Sequence, residues 1–222
     1  MKKGITLVTG GHGFVGKHLV AALRAKGERV RSFDLATPVH KDDVKGSITD
    51  KAAVTAVMDN VSNVFHLAGI ADLWAPSTAA FREVNVEGAL NVGQAAKTAG
   101  VARFVQCSSL TTLVGAPTPI GKTQADENID YAPEQLLGAY PRSKRAAEMA
   151  VLKLADNDFH VVIAMPTEPI GVGDDNLTPP TQMILDFLRR KTPAYIDCIL
   201  NFVPVESLAQ GLLAARDRGE SG

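Results

Sequence analysis

The chain of 222 residues has little of several features that mark particular classes of protein. Its two cysteines, Cys107 and Cys198, form neither a CxxC pair nor a disulfide framework, so a reduced, cytoplasmic setting is expected. No apolar run approaches the roughly 20 residues that span a bilayer. The apolar run behind the basic N-terminus is short and breaks at Gly10 and Gly11, which argues against a secretory signal.

The chain also lacks an excess of one charge. Its 23 Lys and Arg residues balance 24 Asp and Glu residues, so the formal net charge is -1. Nucleic acids and anionic membranes select proteins with a basic face, and neither is therefore expected as a partner. Apolar residues make up 45% of the chain and charged residues 21%, which is typical of globular proteins with a buried core.

Short β-branched apolar runs alternate along the chain with segments of helical periodicity. Strands are predicted at residues 5–9, 30–33, 61–67, 101–107 and 160–165, and helices at residues 17–26, 50–58, 81–99, 140–155 and about 182–190. Asp50 is a candidate N-cap. No hairpin signal separates the strands, so the pattern predicts an α/β fold with a parallel sheet covered by helices on both faces. Prolines interrupt residues 115–138, predicted to be loop, and residues 166–180, predicted to be extended or irregular.

The segment Gly10-Gly11-His12-Gly13-Phe14-Val15-Gly16 follows the first predicted strand and opens the first predicted helix. Gly10 permits a tight turn, Gly13 lets the backbone approach a diphosphate, and Gly16 lets the helix pack against the strand. A dinucleotide diphosphate can then bind the free N–H groups at the positive end of the helix. A tight turn without a ligand is the alternative. The His12 side chain is expected to be solvent-exposed near the phosphates.

Asp34 ends the second predicted strand, 18 residues after Gly16. A carboxylate at this point can accept hydrogen bonds from both hydroxyls of an adenosine ribose and repels a 2′-phosphate. The residue therefore favours NAD over NADP, although a solvated strand-end Asp is the alternative. Neither Arg31 nor Lys41 stands where a clamp for a 2′-phosphate is expected.

Tyr140 and Lys144 form a YxxxK pair that shares one face of a helix. The ammonium can lower the pKa of the phenol, so that Tyr140 can exchange a proton with an alcohol or a carbonyl near neutral pH. Ser108 and Ser109, at the end of the preceding strand, offer a hydroxyl that could orient a substrate oxygen, although such a serine is more often a local cap. The ordered combination of glycine turn, acidic strand end, serine pair and YxxxK helix is more specific than any of its parts.

This combination resembles the extended short-chain dehydrogenase/reductase family over almost the whole chain. Further segments are similar to motifs of that family: His66-Leu67-Ala68-Gly69, Asn85-Val86-Glu87-Gly88, Met165-Pro166 and Gly171-Val172-Gly173. More narrowly, residues 72–76, 166–171 and 193–197 resemble the branch of hopanoid-associated sugar epimerases and dihydroflavonol-4-reductase-like proteins, whose neighbours include 3β-hydroxysteroid dehydrogenases.

The resemblance implies a Rossmann-type, doubly wound sheet. Residues 1–165 would form the NAD-binding domain, and residues 166–222 a small, incomplete substrate region interleaved with the last sheet elements. By the same resemblance Tyr140 is the acid/base, Lys144 lowers its pKa and binds the nicotinamide ribose, and Ser109 hydrogen-bonds the reacting oxygen. The residues implied to contribute to the cofactor site are Gly10, Gly11, His12, Gly13, Phe14, Val15, Gly16, Asp34, Ser47, Ile48, Leu67, Ala68, Gly69, Asn85, Cys107, Tyr140, Lys144 and Pro166. Among them, Asn85 is expected to brace the sheet.

The chain departs from the family pattern at several positions. Ser47 stands where the family usually has an Asp that contacts adenine, and Met165 replaces the usual Arg. Pro204 and Glu206 replace the usual His and Asp. Cys107 takes a common Ser/Thr position and is interpreted as a small buried residue. An extra residue after Ser109 makes Thr111 the alternative for the serine role. Relatives continue well beyond residue 222, so the chain is interpreted either as a fragment or as having an unusually open substrate cleft.

Three functions remain open at this stage. The first is an NAD-dependent oxidoreductase for a secondary alcohol or ketone of a small or hydrophobic substrate. The second is a nucleotide-sugar epimerase or dehydratase with tightly bound NAD, to which the basic residues 189–191 could contribute, and the third is a dinucleotide sensor without turnover. The other histidines do not cluster with metal ligands, so no metal is expected. By analogy with relatives, the helices at 81–99 and 140–155 are expected to form a homodimer interface.

Overall fold

The computed structural model describes residues 4–72, 77–118, 125–195 and 197–221. Its main strands are β1 (Ile5–Thr9), β2 (Val30–Asp34), β3 (Val44–Lys45), β4 (Val61–His66), β5 (Arg103–Cys107) and β6 (His160–Ala164). They form one sheet in the order β3-β2-β1-β4-β5-β6, and every pair of neighbours is parallel. The predicted parallel, doubly wound α/β fold is therefore confirmed.

Helices cover both faces of this sheet. They are α1 (Phe14–Ala25), α2 (Lys51–Val57), α3 (Thr78–Phe81), α4 (Gly88–Thr98) and α5 (Ala139–Leu152). A π-helical stretch, Arg82–Glu87, joins α3 to α4. The Asp50 carboxylate accepts hydrogen bonds from the backbone N–H groups of Ala52 and Ala53, so the predicted cap of α2 is confirmed.

Side chains that point alternately to the two faces of the sheet divide the hydrophobic core into two layers. On one face, strand residues such as Leu7, Val64 and Phe104 pack against α2, α4 and α5. On the other face, Val8 and Phe65 pack against α1 and against the last helix of the chain, α7 (Val205–Arg218). Successive residues of a strand point to opposite faces, and for this reason near-continuous apolar runs are needed where helices cover both sides.

The chain between β6 and α7 is organised differently. It contains β7 (Glu168–Ile170), α6 (Pro179–Leu188) and β8 (Phe202–Pro204), and β7 pairs with β8 in a separate two-stranded parallel sheet. Helix α6 has no buried residue among those described, and Phe187 and Leu188 are exposed. Helix α7 instead returns to the main sheet and buries Leu208, Leu212 and Leu213 against α1.

Several predicted boundaries need correction. The helix expected at residues 81–99 begins at Thr78 and changes to π geometry after Phe81. Within residues 166–180, expected to be extended or irregular, Glu168–Ile170 form β7, and Pro169 fits this short strand because its position does not need an N–H. Helix α7 was not predicted from the sequence. Residues 73–76 and 196 of the segments that resemble the narrower branch lie outside the described residues.

Within the described part of the chain, no helix is long and apolar enough to cross a membrane.

Candidate active site

The candidate site lies at the carboxyl edge of the sheet, where the chain order reverses between β1 and β4. In open parallel sheets, ligands bind outside the strand ends at such a switch point. The glycine turn of residues 10–16 follows β1, and the segment of residues 67–70 follows β4. The serine pair follows β5, the next strand along the sheet. The topology therefore brings together segments that are about a hundred residues apart in the sequence.

The glycine turn has a shape that only glycine permits at two positions. Gly10 has φ of +69°, a left-handed conformation in which side chains are strained. A Cβ on Gly16 would lie 2.0 Å from the carbonyl oxygen of Gly10, so the first turn of α1 must approach the loop closely. Gly13 is the N-cap of α1, no side chain caps that helix end, and its first turn contains no acidic residue. The first-turn N–H groups of this uncapped helix end fit the diphosphate of a dinucleotide.

Asp34 is tied to the glycine turn at the end of β2. One carboxylate oxygen accepts a hydrogen bond from the His12 backbone N–H at 3.0 Å, and the other accepts one from Ala36 N–H at 3.0 Å. The expectation of a solvent-exposed His12 was wrong, because its side chain is only 16% exposed. The reason is Asp43, whose carboxylate lies 3.1 Å from the His12 Nε2.

Arg31 and Lys41 are two basic residues that the sequence offers beside β2. Arg31 donates to the backbone carbonyls of Val57 and Asp59, at the end of α2. Lys41 is exposed in the loop that follows β2. The guanidinium of Arg31 is thus engaged at the end of α2.

Ser47 and Ile48 lie between β3 and α2. The hydroxyls of Ser47 and Thr49 are 2.7 Å apart. Ile48 is buried against Gly88, where a Cβ would lie 2.6 Å from its Cδ1, and its carbonyl accepts a hydrogen bond from Asn91. The Ser47 side chain thus takes part in a local turn, while Ile48 anchors the segment in the core.

The segment after β4 is held by two polar side chains. Thr9 Oγ1 accepts from the Ala68 N–H and lies 2.7 Å from His66 Nδ1, which fixes the start of the segment. Asn85 accepts from Ile70 N–H at 2.7 Å and donates to the Ile70 carbonyl and to Ser143 Oγ. Asn85 is buried, and its hydrogen bonds brace residues 67–70 against α5.

Burial controls the protonation of His66. It lowers the pKa of the imidazole to about 3, and the nearby Lys144 charge acts in the same direction. His66 is therefore neutral near pH 7. A fully buried histidine without a carboxylate partner must stay neutral, since charging it would cost desolvation energy.

Ser109 and Tyr140 meet at the end of β5. Ser109 caps the short turn Leu110–Leu113 through its hydroxyl, which accepts from the Thr111 N–H. Burial raises the pKa of Tyr140, and the hydrogen bond with the Ser109 side chain lowers it in part. The sequence predicted that Lys144 would lower the pKa of this phenol, but the net shift is upward, because desolvation disfavours the phenolate. Thr111 donates to Ser109 at 3.0 Å.

Lys144 is buried one helical turn beyond Tyr140. Its Nζ donates to the carbonyl of Cys107 at 2.7 Å. Burial lowers the pKa of Lys144, and the negative charge of the nearby Glu148 opposes that effect. Burial also raises the pKa of the Cys107 thiol, which favours the neutral thiol at this position.

Sequence reasoning missed a buried acidic residue on the same helix face. Glu148, four residues after Lys144, is 1% exposed and accepts a short hydrogen bond from Ser108. Its second oxygen accepts from Arg145 at 2.8 Å, and Arg145 also pairs with Asp130. The i, i+4 spacing after the YxxxK pair was the available signal, because residues at that spacing share one helix face.

Residues 165–175 pass over the carboxyl edge after β6. The Pro166 carbonyl accepts from Leu110 N–H at 2.9 Å, which places Pro166 beside the serine turn. Met165 contacts Thr112 through its sulfur. Further along, the Val172 carbonyl lies 2.9 Å from His18 Nε2.

The remaining sequence candidates lie away from the serine turn. Glu206 lies 3.9 Å from His18 Nδ1, and Pro204 ends β8. Among the described residues, no group of three or more His, Cys, Asp or Glu side chains is arranged to hold a metal ion.

Known proteins match the chain over almost its full length. The sequence profile of the NAD dependent epimerase/dehydratase family matches residues 6–219. The chain is 37% identical over 224 residues to a Synechocystis protein provisionally named dihydroflavonol 4-reductase, covering 96% of this chain and 63% of that protein. It is 36% identical over 180 residues to a 3 beta-hydroxysteroid dehydrogenase/Delta 5-->4-isomerase of Mycobacterium tuberculosis, covering 76% of this chain and 47% of that protein. The chain thus spans about half to two thirds of the length of these relatives.

A solved structure with bound cofactor has the same fold. The UDP-glucose 4-epimerase of Thermus thermophilus, in complex with NAD, superimposes with a TM-score of 0.85 at 24% identity. The match covers 97% of this chain and 75% of the epimerase chain.

Proposed function

Because the family match covers residues 6–219, this chain belongs to the NAD-dependent epimerase/dehydratase family, and we propose that it is an NAD-dependent oxidoreductase interconverting a secondary alcohol and a ketone. The observation that carries the proposal is the hydrogen bond between the Ser109 and Tyr140 side chains, with the buried Lys144 donating to the Cys107 carbonyl at the end of the same strand, β5. The names of the reductase and dehydrogenase relatives agree with it.

The three side chains have separate roles in this proposal. Tyr140 gives a proton to the carbonyl oxygen during reduction and takes it from the hydroxyl during oxidation. Ser109 orients that oxygen and hydrogen-bonds the phenol. The Lys144 ammonium favours the phenolate against the desolvation that raises the pKa of Tyr140.

The residues proposed to bind the cofactor are those whose chemistry fits a dinucleotide. The uncapped N-terminus of α1 would hold the diphosphate, and Asp34 would accept the ribose hydroxyls. When bound, NAD supplies the hydride acceptor or donor and, in its oxidised form, a positive charge that favours the phenolate. The carboxylate of Asp34 repels a 2′-phosphate, so NAD is proposed rather than NADP.

The test is turnover by wild type and Tyr140→Phe with NAD or NADH and a panel of steroid, flavonoid and sugar-nucleotide substrates. We expect wild type to change the NADH absorbance with at least one ketone or alcohol, and Tyr140→Phe to lose about 100-fold or more of that rate. Tyr131→Phe is the matched control, because the Tyr131 hydroxyl contacts only Thr118 among the described side chains. NAD binding with no turnover of any substrate would instead support the dinucleotide sensor, and unchanged turnover by Tyr140→Phe would contradict the acid/base role.

A nucleotide-sugar epimerase or dehydratase is the second candidate. The family description names both activities, and the NAD-bound structural neighbour is a UDP-glucose 4-epimerase. The same three side chains serve such a reaction, so cofactor behaviour is the discriminator. An epimerase retains NAD through purification and releases no net NADH, whereas the proposed oxidoreductase exchanges its cofactor in each cycle.

We also propose a cytoplasmic homodimer formed through α4 and α5. On their outer surfaces, Met149 is exposed and Leu90 is half-buried. Light scattering at micromolar concentration should give twice the mass of the chain, and Met149→Glu should shift it toward the monomer. Met183→Glu, on α6, is the matched control. A monomeric wild type would contradict the dimer.

A further inference from the structure

Asp43 is a buried carboxylate at the edge of the proposed cofactor site, and no sequence motif drew attention to it. Its side chain is 2% exposed, although it lies in the loop of residues 35–43 that connects β2 to β3. One oxygen lies 3.1 Å from His12 Nε2 and accepts from the His40 N–H at 2.9 Å and the Val39 N–H at 3.3 Å. The other oxygen accepts from Arg24 Nη2 at 3.0 Å.

These contacts keep the carboxylate ionised despite its burial. Burial alone raises the pKa of Asp43, but the hydrogen bonds from His12 and the backbone, with the charge of Arg24, outweigh it and hold the pKa below its ordinary value. A buried carboxylate with this number of donors behaves as a rigid connector, since losing a donor would leave part of its charge uncompensated.

The connector joins three parts of the molecule. His12 belongs to the glycine turn, Arg24 to the last turn of α1, and Val39 and His40 to the loop after β2. The backbone N–H of the same His12 donates to Asp34. The backbone of His12 is therefore bound by Asp34, and its side chain is bound by Asp43. Whatever moves Asp43 therefore also moves the surroundings of the proposed ribose acceptor.

Asp43 also determines how much positive charge is left unpaired at this end of the site. A 2′-phosphate is recognised by cationic side chains placed beyond the second strand. His12 and Arg24 are cationic or potentially cationic groups here, and both are paired with Asp43. Arg31 is engaged with the carbonyl groups of Val57 and Asp59.

We propose that Asp43 is a positioning and specificity-determining residue for the cofactor. It holds His12 and the loop of residues 35–43 in place beside Asp34, and it pairs with His12 and Arg24 so that neither is left to attract a 2′-phosphate. The inference rests on the proposed NAD binding and extends it, because discrimination against NADP is assigned to a second carboxylate besides Asp34.

The test measures the dissociation constants of NAD and NADP by calorimetry, without any substrate. Asp43→Asn keeps the size of the side chain and one acceptor oxygen but removes the charge. We expect it to lower the ratio of the NADP constant to the NAD constant about tenfold, which corresponds to about 1.4 kcal/mol. Arg24→Gln leaves Asp43 with less positive charge beside it, so we expect that ratio to rise.

Asp42→Asn is the matched control, since it removes the same charge from the neighbouring residue, which contacts neither His12 nor Arg24. Its ratio should stay within twofold of wild type. An unchanged ratio in Asp43→Asn, or an equal fall in Asp43→Asn and Asp42→Asn, overturns the proposal. Should Asp43→Asn fail to fold, an Arg24→Gln ratio at or below that of wild type overturns it by itself. A wild type that binds neither dinucleotide contradicts the proposed function instead, and the two failures are thus distinguishable.

Discussion

The glycine turn at residues 10–16 and the helix face at residues 140–148 form the two ends of the candidate site, and they are held by different forces. At the first end, backbone conformation decides the geometry: Gly10 is left-handed, and Gly16 lets helix α1 approach the loop. At the second end, buried charge decides it: Lys144 and Glu148 are both buried, and each is held by hydrogen bonds to the end of β5.

Because of this difference, mutations at the two ends should have different consequences. A methyl group added to the glycine turn changes the space for a diphosphate and should lower the affinity for NAD. Removing one charge from the second end changes proton transfer and should affect turnover, while the groove itself keeps its shape. The contrast predicts that cofactor binding and catalysis can be lost independently.

The largest expected effect is at the second end. Lys144→Met removes the ammonium that donates to the Cys107 carbonyl, and we expect turnover to fall about 1,000-fold because the phenol loses its electrostatic support. NAD affinity, measured by calorimetry, should fall less than tenfold. Lys153→Met, at the exposed end of the same helix, is the control. Equal losses of affinity and turnover would remove the distinction between the two ends.

The second-largest effect is expected at the glycine turn, where NAD affinity rather than turnover should be lost. Gly16→Ala places a methyl group 2.0 Å from the Gly10 carbonyl oxygen, so the loop or the helix must move. We expect NAD affinity to fall at least about 100-fold, since the N–H groups no longer converge on the diphosphate. Gly211→Ala is the control, because nothing lies within 4 Å of its added methyl group and alanine favours a helix. NAD binding by Gly16→Ala at wild-type strength would show that backbone approach is not what limits this end.

A third effect concerns stability. The pKa of His66 is about 3 in the folded protein and about 6.5 in the unfolded chain, so the unfolded chain binds more protons between these values. Stability should therefore be lost as the pH falls below about 6.5, by about 2 kcal/mol at pH about 5. His66→Gln removes this titration. Urea unfolding at pH 7 and pH 5 should give a smaller difference for His66→Gln than for wild type, and equal differences would contradict the assignment.

The smallest effect tests whether Glu148 tunes the second end. Glu148 raises the pKa of Lys144, so Glu148→Gln should make the ammonium easier to deprotonate and move the alkaline limb of the reductive pH profile to lower pH. We expect the rate to fall about tenfold at most. Ser108→Ala removes the hydrogen bond but keeps the charge, and its profile should stay near that of wild type. A shift of equal size in both variants would assign the effect to packing.

The fold was readable from local patterns, whereas parts of the site were not. Alternation of β-branched runs and helical segments indicated the parallel sheet, and the glycine turn indicated its own position after β1. His12, by contrast, was wrongly expected to be exposed. Its burial depends on a contact with Asp43, which lies 31 residues further along the chain and which no local pattern indicates. Helix α7 was missed, although it supplies part of the core that covers α1.

Particular residue types at the strand ends could be recognised from the amino-acid sequence alone: glycines after β1, a carboxylate at the end of β2, a serine pair after β5, and Tyr140 and Lys144 one turn apart. These features are local, and backbone geometry and helix periodicity act over a few residues. The pairing of the charges depends on long-range packing, which brings Asp43 to His12 and Arg24 and buries Glu148 against Ser108. Those pairings depend on distances between segments distant in sequence, and at Asp43 they hold the pKa of the carboxyl below its ordinary value despite burial.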